Sequence, residues 1–131
     1  MHRAQFTVAT EERLTTVDVT ERVHAAVPDD ATGLCTVATG HTTAGIVVQE
    51  GESRLREDIE TFLADLVPDD GWRHDEIDDN ADSHLRATVA GRDISTPVVD
   101  GELELGSWGS VLFVECDGPR RRTVTVCVLE G

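Results

Sequence analysis

Lysine is absent from this chain of 131 residues. All 11 basic residues are arginines, set against 26 acidic ones, and the formal net charge is −15. Aromatic residues are also scarce, at 4 %. Together these traits point to an acidic, salt-adapted surface, because at 1 M salt charge repulsion is screened within about 3 Å. At low salt the same repulsion opposes the compact state. The plainer alternative is an ordinary acidic domain. Either reading excludes a general nucleic-acid binder, which needs a basic face for phosphates. The sole basic cluster is Arg120-Arg121-Arg122.

Other absences narrow the class further. No apolar run approaches the roughly 20 residues of a membrane-spanning helix, and the first residues carry no charged-then-apolar signal pattern. A cytoplasmic protein with no membrane partner is the expectation. Cysteines are few and odd in number (Cys35, Cys116 and Cys127), with no Cys-x-x-Cys pair, which argues against disulfides and structural zinc. Each is expected to pack as a small buried hydrophobe. No repeat, linker or low-complexity tract divides the chain, so residues 1–131 read as a single domain. That length buries one real core but falls short of the roughly 250 residues of a TIM barrel.

What is present reads as α+β, a mostly antiparallel sheet or sandwich with two or three helices. Gln5–Thr10 and Leu14–Asp18 read as a hairpin around Glu11-Glu12-Arg13. Thr20 is read as the cap of a short helix over Glu21–Val27 that Pro28 stops. Strands at 33–39 and 44–49 bracket a polar loop. Leu55, Ile59, Phe62, Leu63 and Leu66 recur at helical spacing within Glu52–Val67. After a polar loop, Asp69–Asp79, a second helix is expected over 81–90, ended by Gly91. Strands at 92–98, 102–105, 110–116 and 122–129 follow, with Asp100-Gly101 as a two-residue hairpin turn. Apolar residues on both faces of 111–114 predict a central strand. Its far end turns acidic, with Phe113, Glu115 and Asp117 on one face, so Glu115 and Asp117 are expected at a rim. Ile46, Val48 and Glu50 are likewise co-facial.

Three polar islands fall between these elements. Gly40-His41-Thr42-Thr43-Ala44-Gly45 gathers an imidazole and two hydroxyls between glycines, where a backbone can come close to a ligand. Arg73-His74-Asp75-Glu76 leads through Asp79-Asn80 to His84, and Asp117-Gly118-Pro119-Arg120-Arg121-Arg122 forms the third. Taken alone, His74 reads as solvated, His84 as a core histidine, His24 as structural and His2 as a frayed terminus. Functional loops on a rigid sheet make one composite site the sharper expectation.

The ordered series of Gly40-His41-Thr42-Thr43-Ala44-Gly45, Glu50, Pro68, Trp72-Arg73-His74, Asp79-Asn80, His84-Leu85, Pro97-Val98, Leu105-Gly106-Ser107-Trp108 and Glu115-Cys116-Asp117-Gly118-Pro119-Arg120 resembles the YjbQ family, also called the secondary thiamine-phosphate synthase family, in an acidic, haloarchaeal-type form. Two departures stand out. Gln49 replaces a frequent Asn, and Gly109 replaces a usual Gln, removing a hydrogen-bonding group. The resemblance implies a homotrimer with clefts near subunit boundaries. It also implies a transferase activity that joins a pyrimidine diphosphate to a thiazole phosphate.

As implied by that resemblance, His41, His74, His84, Glu50 and Asp117 are the candidate catalytic residues. Thr42, Thr43, Arg120, Asn80 and Trp108 are the candidate substrate-binding ones. Three neutral imidazoles, from His41, His74 and His84, could make an open zinc site, with Glu50 and Asp117 orienting them. Alternatively the carboxylates could bind magnesium with a substrate diphosphate. Hydroxyls of Thr42 and Thr43 and the Arg120 fork suit phosphate, whereas Arg121 and Arg122 point opposite ways along a strand, one of them solvated. Trp108 either walls the pocket, stacks a flat heterocycle or packs in the core. Two rival functions remain: a non-catalytic trimeric binder of a phosphorylated metabolite, and a metal-dependent hydrolase using zinc-bound water.

Overall fold

Alternation along the last strand sets the frame: Arg122, Val124, Val126 and Val128 are buried, while Arg121, Thr123 and Leu129 face outward. The computed structural model describes residues 1–131. Its elements are β1 (His2–Ala9), β2 (Thr15–Asp18), α1 (Thr20–Ala26), β3 (Gly33–Ala38), β4 (Ala44–Glu50), α2 (Ser53–Leu66), α3 (Ala81–Ala90), β5 (Asp93–Val99), β6 (Glu102–Leu103), β7 (Gly109–Glu115) and β8 (Arg121–Glu130). The strands form two sheets, one ordered β1-β8-β3-β5-β6 and one ordered β2-β7-β4. Every pairing is antiparallel.

The main core lies between the sheets. Val37, Val124, Val126 and Val128 meet Ile46, Val111 and Phe113, and α1 adds Val23. A smaller cluster of Leu63, Ala87, Val114 and Cys116 lies under α2 and α3. Strand β7 is therefore covered on both faces, as its apolar run requires.

Glycine matters at two points. Asp100 (φ 50°) and Gly101 (φ 79°) make the turn that pairs β5 with β6. At Gly45, an added Cβ would sit 2.5 Å from the Gly91 carbonyl and 2.8 Å from Ala90 Cβ. The missing side chain lets the end of α3 press onto β4, where the Ile46 N–H donates to the Gly91 carbonyl at 2.9 Å.

Several expectations are corrected. β1 and β2 do not form a hairpin: β1 pairs with β8 and β2 with β7. The link between them crosses from one sheet to the other, held by Thr10 and Gly118 N–H groups that donate to Arg120 and Arg13 carbonyls. Thr20 is the first helical residue of α1, after Val19. Its hydroxyl is occupied elsewhere, donating to Asp18 at 2.6 Å and accepting the Val111 N–H at 2.9 Å. In α2 the apolar stripe is only part-buried, since Leu63 is covered while Phe62 and Leu66 are exposed. His2 opens β1, and its Nε2 lies 3.0 Å from the Ala26 carbonyl. Cys35 and Cys116 are buried, but Cys127 is half-buried because it falls on the outward parity of β8. No helix is long and apolar enough to cross a membrane.

Candidate functional site

Helix α3 is the shared wall of two cavities. One, of about 490 Å³, is lined by Trp72, Arg73, His74, Ala81, His84 and Leu85. The other, of about 290 Å³, includes His41, Thr42, Thr88 and Arg92 in its lining. His84 and Thr88 are one helical turn apart, linked by the Thr88 hydroxyl donating to the His84 carbonyl at 2.9 Å. Thus His84 opens on the first cavity and Thr88 on the second.

In the first cavity the rings of His74 and His84 meet edge to face, centroids 5.1 Å apart. His74 rides on a 3-10 turn, Arg73–Glu76, whose geometry is set by Trp72 and Asp75. The Trp72 indole N–H donates to the Pro68 carbonyl at 2.8 Å, which holds the indole as a wall. The aromatic wall beside the imidazoles is therefore Trp72, not Trp108.

His41 is held by the end of β8. The Thr123 N–H donates to its Nε2 at 3.1 Å, and the Thr39 hydroxyl donates to the Thr123 carbonyl at 3.0 Å. Side chains thereby finish a hydrogen-bond ladder that β3 leaves open. A neutral imidazole accepting at Nε2 carries its proton on Nδ1, so His41 has a donor left for a ligand. Burial lowers its pKa below 6.5, Arg122 and Arg120 lower it further, and Glu115 opposes them.

Glu115 is not at a rim. It is fully buried on the inward face of β7, opposite Arg122 on the inward face of β8. Burial raises the Glu115 pKa, but Arg122, the Asp117 N–H and the Thr10 hydroxyl outweigh it and hold the carboxyl below 4.5. Thr43 is also buried, and its hydroxyl oxygen accepts from Arg122 at 2.9 Å. Thr43 does not line the His41 cavity, whereas Thr42 lines it and is exposed.

Asp117 takes hydrogen bonds from Asn80 Nδ2 (3.2 Å) and Arg120 Nη2 (3.1 Å). Arg120 also donates through Nε to the Asp117 carbonyl at 2.8 Å, folding its guanidinium back on its own turn. Asn80 precedes α3 and keeps a buried Oδ1 without a partner. Deeper in, Asp82 is clasped by Arg13 (2.9 and 3.0 Å) and Arg86 (2.7 Å). Arg86 further ties the carbonyls of Leu63 and Val67 and the carboxylate of Asp69 to α3.

Glu50 and Trp108 lie elsewhere. On β4, Ala44 pairs with Glu115 while Glu50 pairs with Gly109, so six residues at roughly 3.3 Å each put Glu50 about 20 Å from the histidine end. Glu50 and Trp108 share a separate cavity of about 400 Å³ with Ser107 and Ser110. Nor do three His, Cys, Asp or Glu side chains of the chain gather closely enough to hold a metal ion. The three-histidine zinc set is thus not assembled within one chain: His41 spends Nε2 on Thr123 and opens on a different cavity from His74 and His84.

The model of the UPF0047 YjbQ-like protein family matches residues 4–131. The chain belongs to this family. A UPF0047 protein of Archaeoglobus fulgidus is 44 % identical over 126 residues, 95 % of this chain and 99 % of that protein. Among solved structures, a hypothetical protein of Aeropyrum pernix K1 superposes with a TM-score of 0.96 at 44 % identity, covering 100 % of both chains. A YjbQ/UPF0047 protein of Clostridium acetobutylicum gives 0.89 at 31 % identity, covering 96 % of this chain and 99 % of that one.

In this YjbQ-like chain, sequence reasoning missed the buried partners. Arg122 shares parity with Val124, Val126 and Val128, which was the available sign that it, and not Arg121, turns inward. Asp82 and Arg86 stand at the four-residue spacing of a helical ion pair. Thr88 and Arg92 carried no such signal.

Proposed function

We propose that the chain is a thiamine-phosphate-synthase-type enzyme that joins a pyrimidine diphosphate to a thiazole phosphate. The observation that supports this reading is the double lining of α3, with a ring-sized cavity walled by Trp72, His74 and His84 beside a polar cavity bearing His41, Thr42, Thr88 and Arg92. A flat heterocycle suits the first, and charged oxygens suit the second. In the reaction the thiazole nitrogen attacks the pyrimidine methylene, the carbon–oxygen bond breaks, and diphosphate leaves. Arg92, His41 Nδ1–H and the hydroxyls stabilise the charge that develops on the leaving group. His74 and His84 hold protons beside the ring. Arg120, anchored to Asp117, borders the α3 end through Asn80.

No step is routed through a metal: the three histidine donors for zinc are not gathered within a single chain and would need a second copy, while magnesium would be held by one or two carboxylates together with the phosphates of the substrate. A homotrimer is part of the same proposal. Its support is the outward face of the five-stranded sheet, where Leu34 pairs directly with Leu129 and the two are 44 % and 61 % exposed. Asp93 is the sole carboxylate on the outward positions of β1, β8, β3 and β5.

Incubation of the purified protein with both phosphorylated substrates, with chromatographic detection of thiamine phosphate, tests the activity. Product that disappears in His84→Ala supports the reading. Tight binding of the substrates without product favours a binding protein instead. Light scattering in molar salt is expected to give about three chains per particle, reduced to one by Leu34→Glu.

A further inference from the structure

The Glu115–Arg122 pair joins more than two side chains. Arg122 Nε donates to Glu115 Oε1 at 2.8 Å, and its Nη2 reaches Oε2, the Thr43 hydroxyl oxygen (2.9 Å) and the Thr43 carbonyl (3.4 Å). Glu115 in turn accepts the Thr10 hydroxyl at 2.7 Å and the Asp117 N–H at 3.0 Å. Thr10 accepts the Arg120 N–H at 2.9 Å. Gly118 packs so closely on this group that an added Cβ would lie 2.8 Å from Glu115 Cγ. The residue after Arg122 is Thr123, whose backbone holds His41 and Thr39. Two of the three polar islands therefore hang from one buried ion pair that bridges the two sheets.

We infer that Glu115 and Arg122 are positioning residues: through Thr43 and Thr123 they fix the His41 loop so that Nε2 is occupied and Nδ1–H faces the cavity. Packing alone does not call for charge here. Arg122 continues the inward row of Val124, Val126 and Val128, and Glu115 that of Val111 and Phe113, so apolar side chains would extend the core. Replacing a buried ion pair by apolar residues of similar volume is often neutral or stabilising. What apolar residues cannot supply is the set of directed bonds to Thr43, Thr10 and the Asp117 amide. Only the ligand arm of the inference rests on the proposed function.

The test compares wild type with the double variant Glu115→Leu/Arg122→Met in molar salt. Three quantities are measured: the unfolding midpoint, the His41 ring-nitrogen chemical shifts by NMR, and the affinity for inorganic pyrophosphate by calorimetry. The expected result is a folded protein whose His41 nitrogens shift from the Nδ1–H tautomer toward a mixture, with pyrophosphate affinity at least tenfold weaker. A folded double variant with wild-type ring nitrogens overturns the inference. Should the double variant not fold, Thr43→Val keeps the ion pair but removes its shortest bond to the loop, the 2.9 Å contact with the Thr43 hydroxyl. It is expected to produce the same ring-nitrogen change, and unchanged nitrogens there overturn the inference as well. Absence of pyrophosphate binding by wild type counts against the proposed function, while the ring nitrogens still decide the positioning role.

Discussion

The ring of His84, on helix α3, meets the ring of His74, on the preceding 3-10 turn, edge to face at 5.1 Å between centroids. Their contact lines a cavity and is not packed in the core. His74→Ala is therefore expected to change stability by no more than about 0.5 kcal/mol, the range of ordinary surface substitutions. If the proposed reaction is right, the same variant should lose at least tenfold in turnover. Denaturation and product formation on one preparation check both halves.

Arg86 makes the opposite prediction. It is buried, bonded to Asp82, and ties the end of α2 to α3. Arg86→Met takes a donor from the Leu63 and Val67 carbonyls and leaves Asp82 with Arg13 as its remaining ion-pair partner, which costs about 3–5 kcal/mol for a broken buried pair. A midpoint near wild type in chemical denaturation would show that Arg13 alone satisfies Asp82.

The pH dependence follows from three lowered pKa values. Asp82 is pushed up by burial but pulled down further by Arg13 and Arg86, so that it ends below 3.8. Glu115 ends below 4.5 for the reasons given above. A group with a lowered folded pKa binds fewer protons in the native state, so stability rises with pH through that window. The stabilisation from these two carboxylates is present above their unfolded values and lost as pH falls through the folded ones. His41 has the same sign from a higher start: its neutral form is favoured, and stability declines as pH drops below 6.5. Denaturation midpoints measured downward from neutral pH should fall first shallowly and then steeply. For Glu115→Gln the steep phase should shrink.

Salt should act in the direction set by the charge. With a net charge of −15, the midpoint is expected to rise between roughly 0.1 M and 1 M sodium chloride as repulsion is screened. A flat or falling midpoint would reject salt adaptation.

Local signals made most of the elements legible. Helical spacing and Gly91 located α3, and Asp100-Gly101 located a turn whose backbone adopts positive φ. Pairing was less legible, because β1 and β2 each carry a buried face and no short-range signal says that they part to different sheets. The site divided the same way. His41, His74, His84 and Asn80 are brought to α3, but Glu50 sits on the same strand face as Ile46 and Val48 at the wrong end of β4. Parity reports a face and says nothing of which end of a strand meets a loop from elsewhere. Arg122 shares the parity of the buried valines of β8, but Thr43 resisted reading because a hydroxyl looks alike in sequence whether it meets solvent or a buried guanidinium.

Because α3 lines both cavities, it acts as a ruler. The four residues from His84 to Thr88, at 1.5 Å rise each, set those two wall residues about 6 Å apart along the axis. Loop changes alter what each chamber contacts but leave the spacing alone. Inserting one residue before His84 would turn both linings by about 100° at once, so the two halves of the site can be retuned separately but not respaced separately.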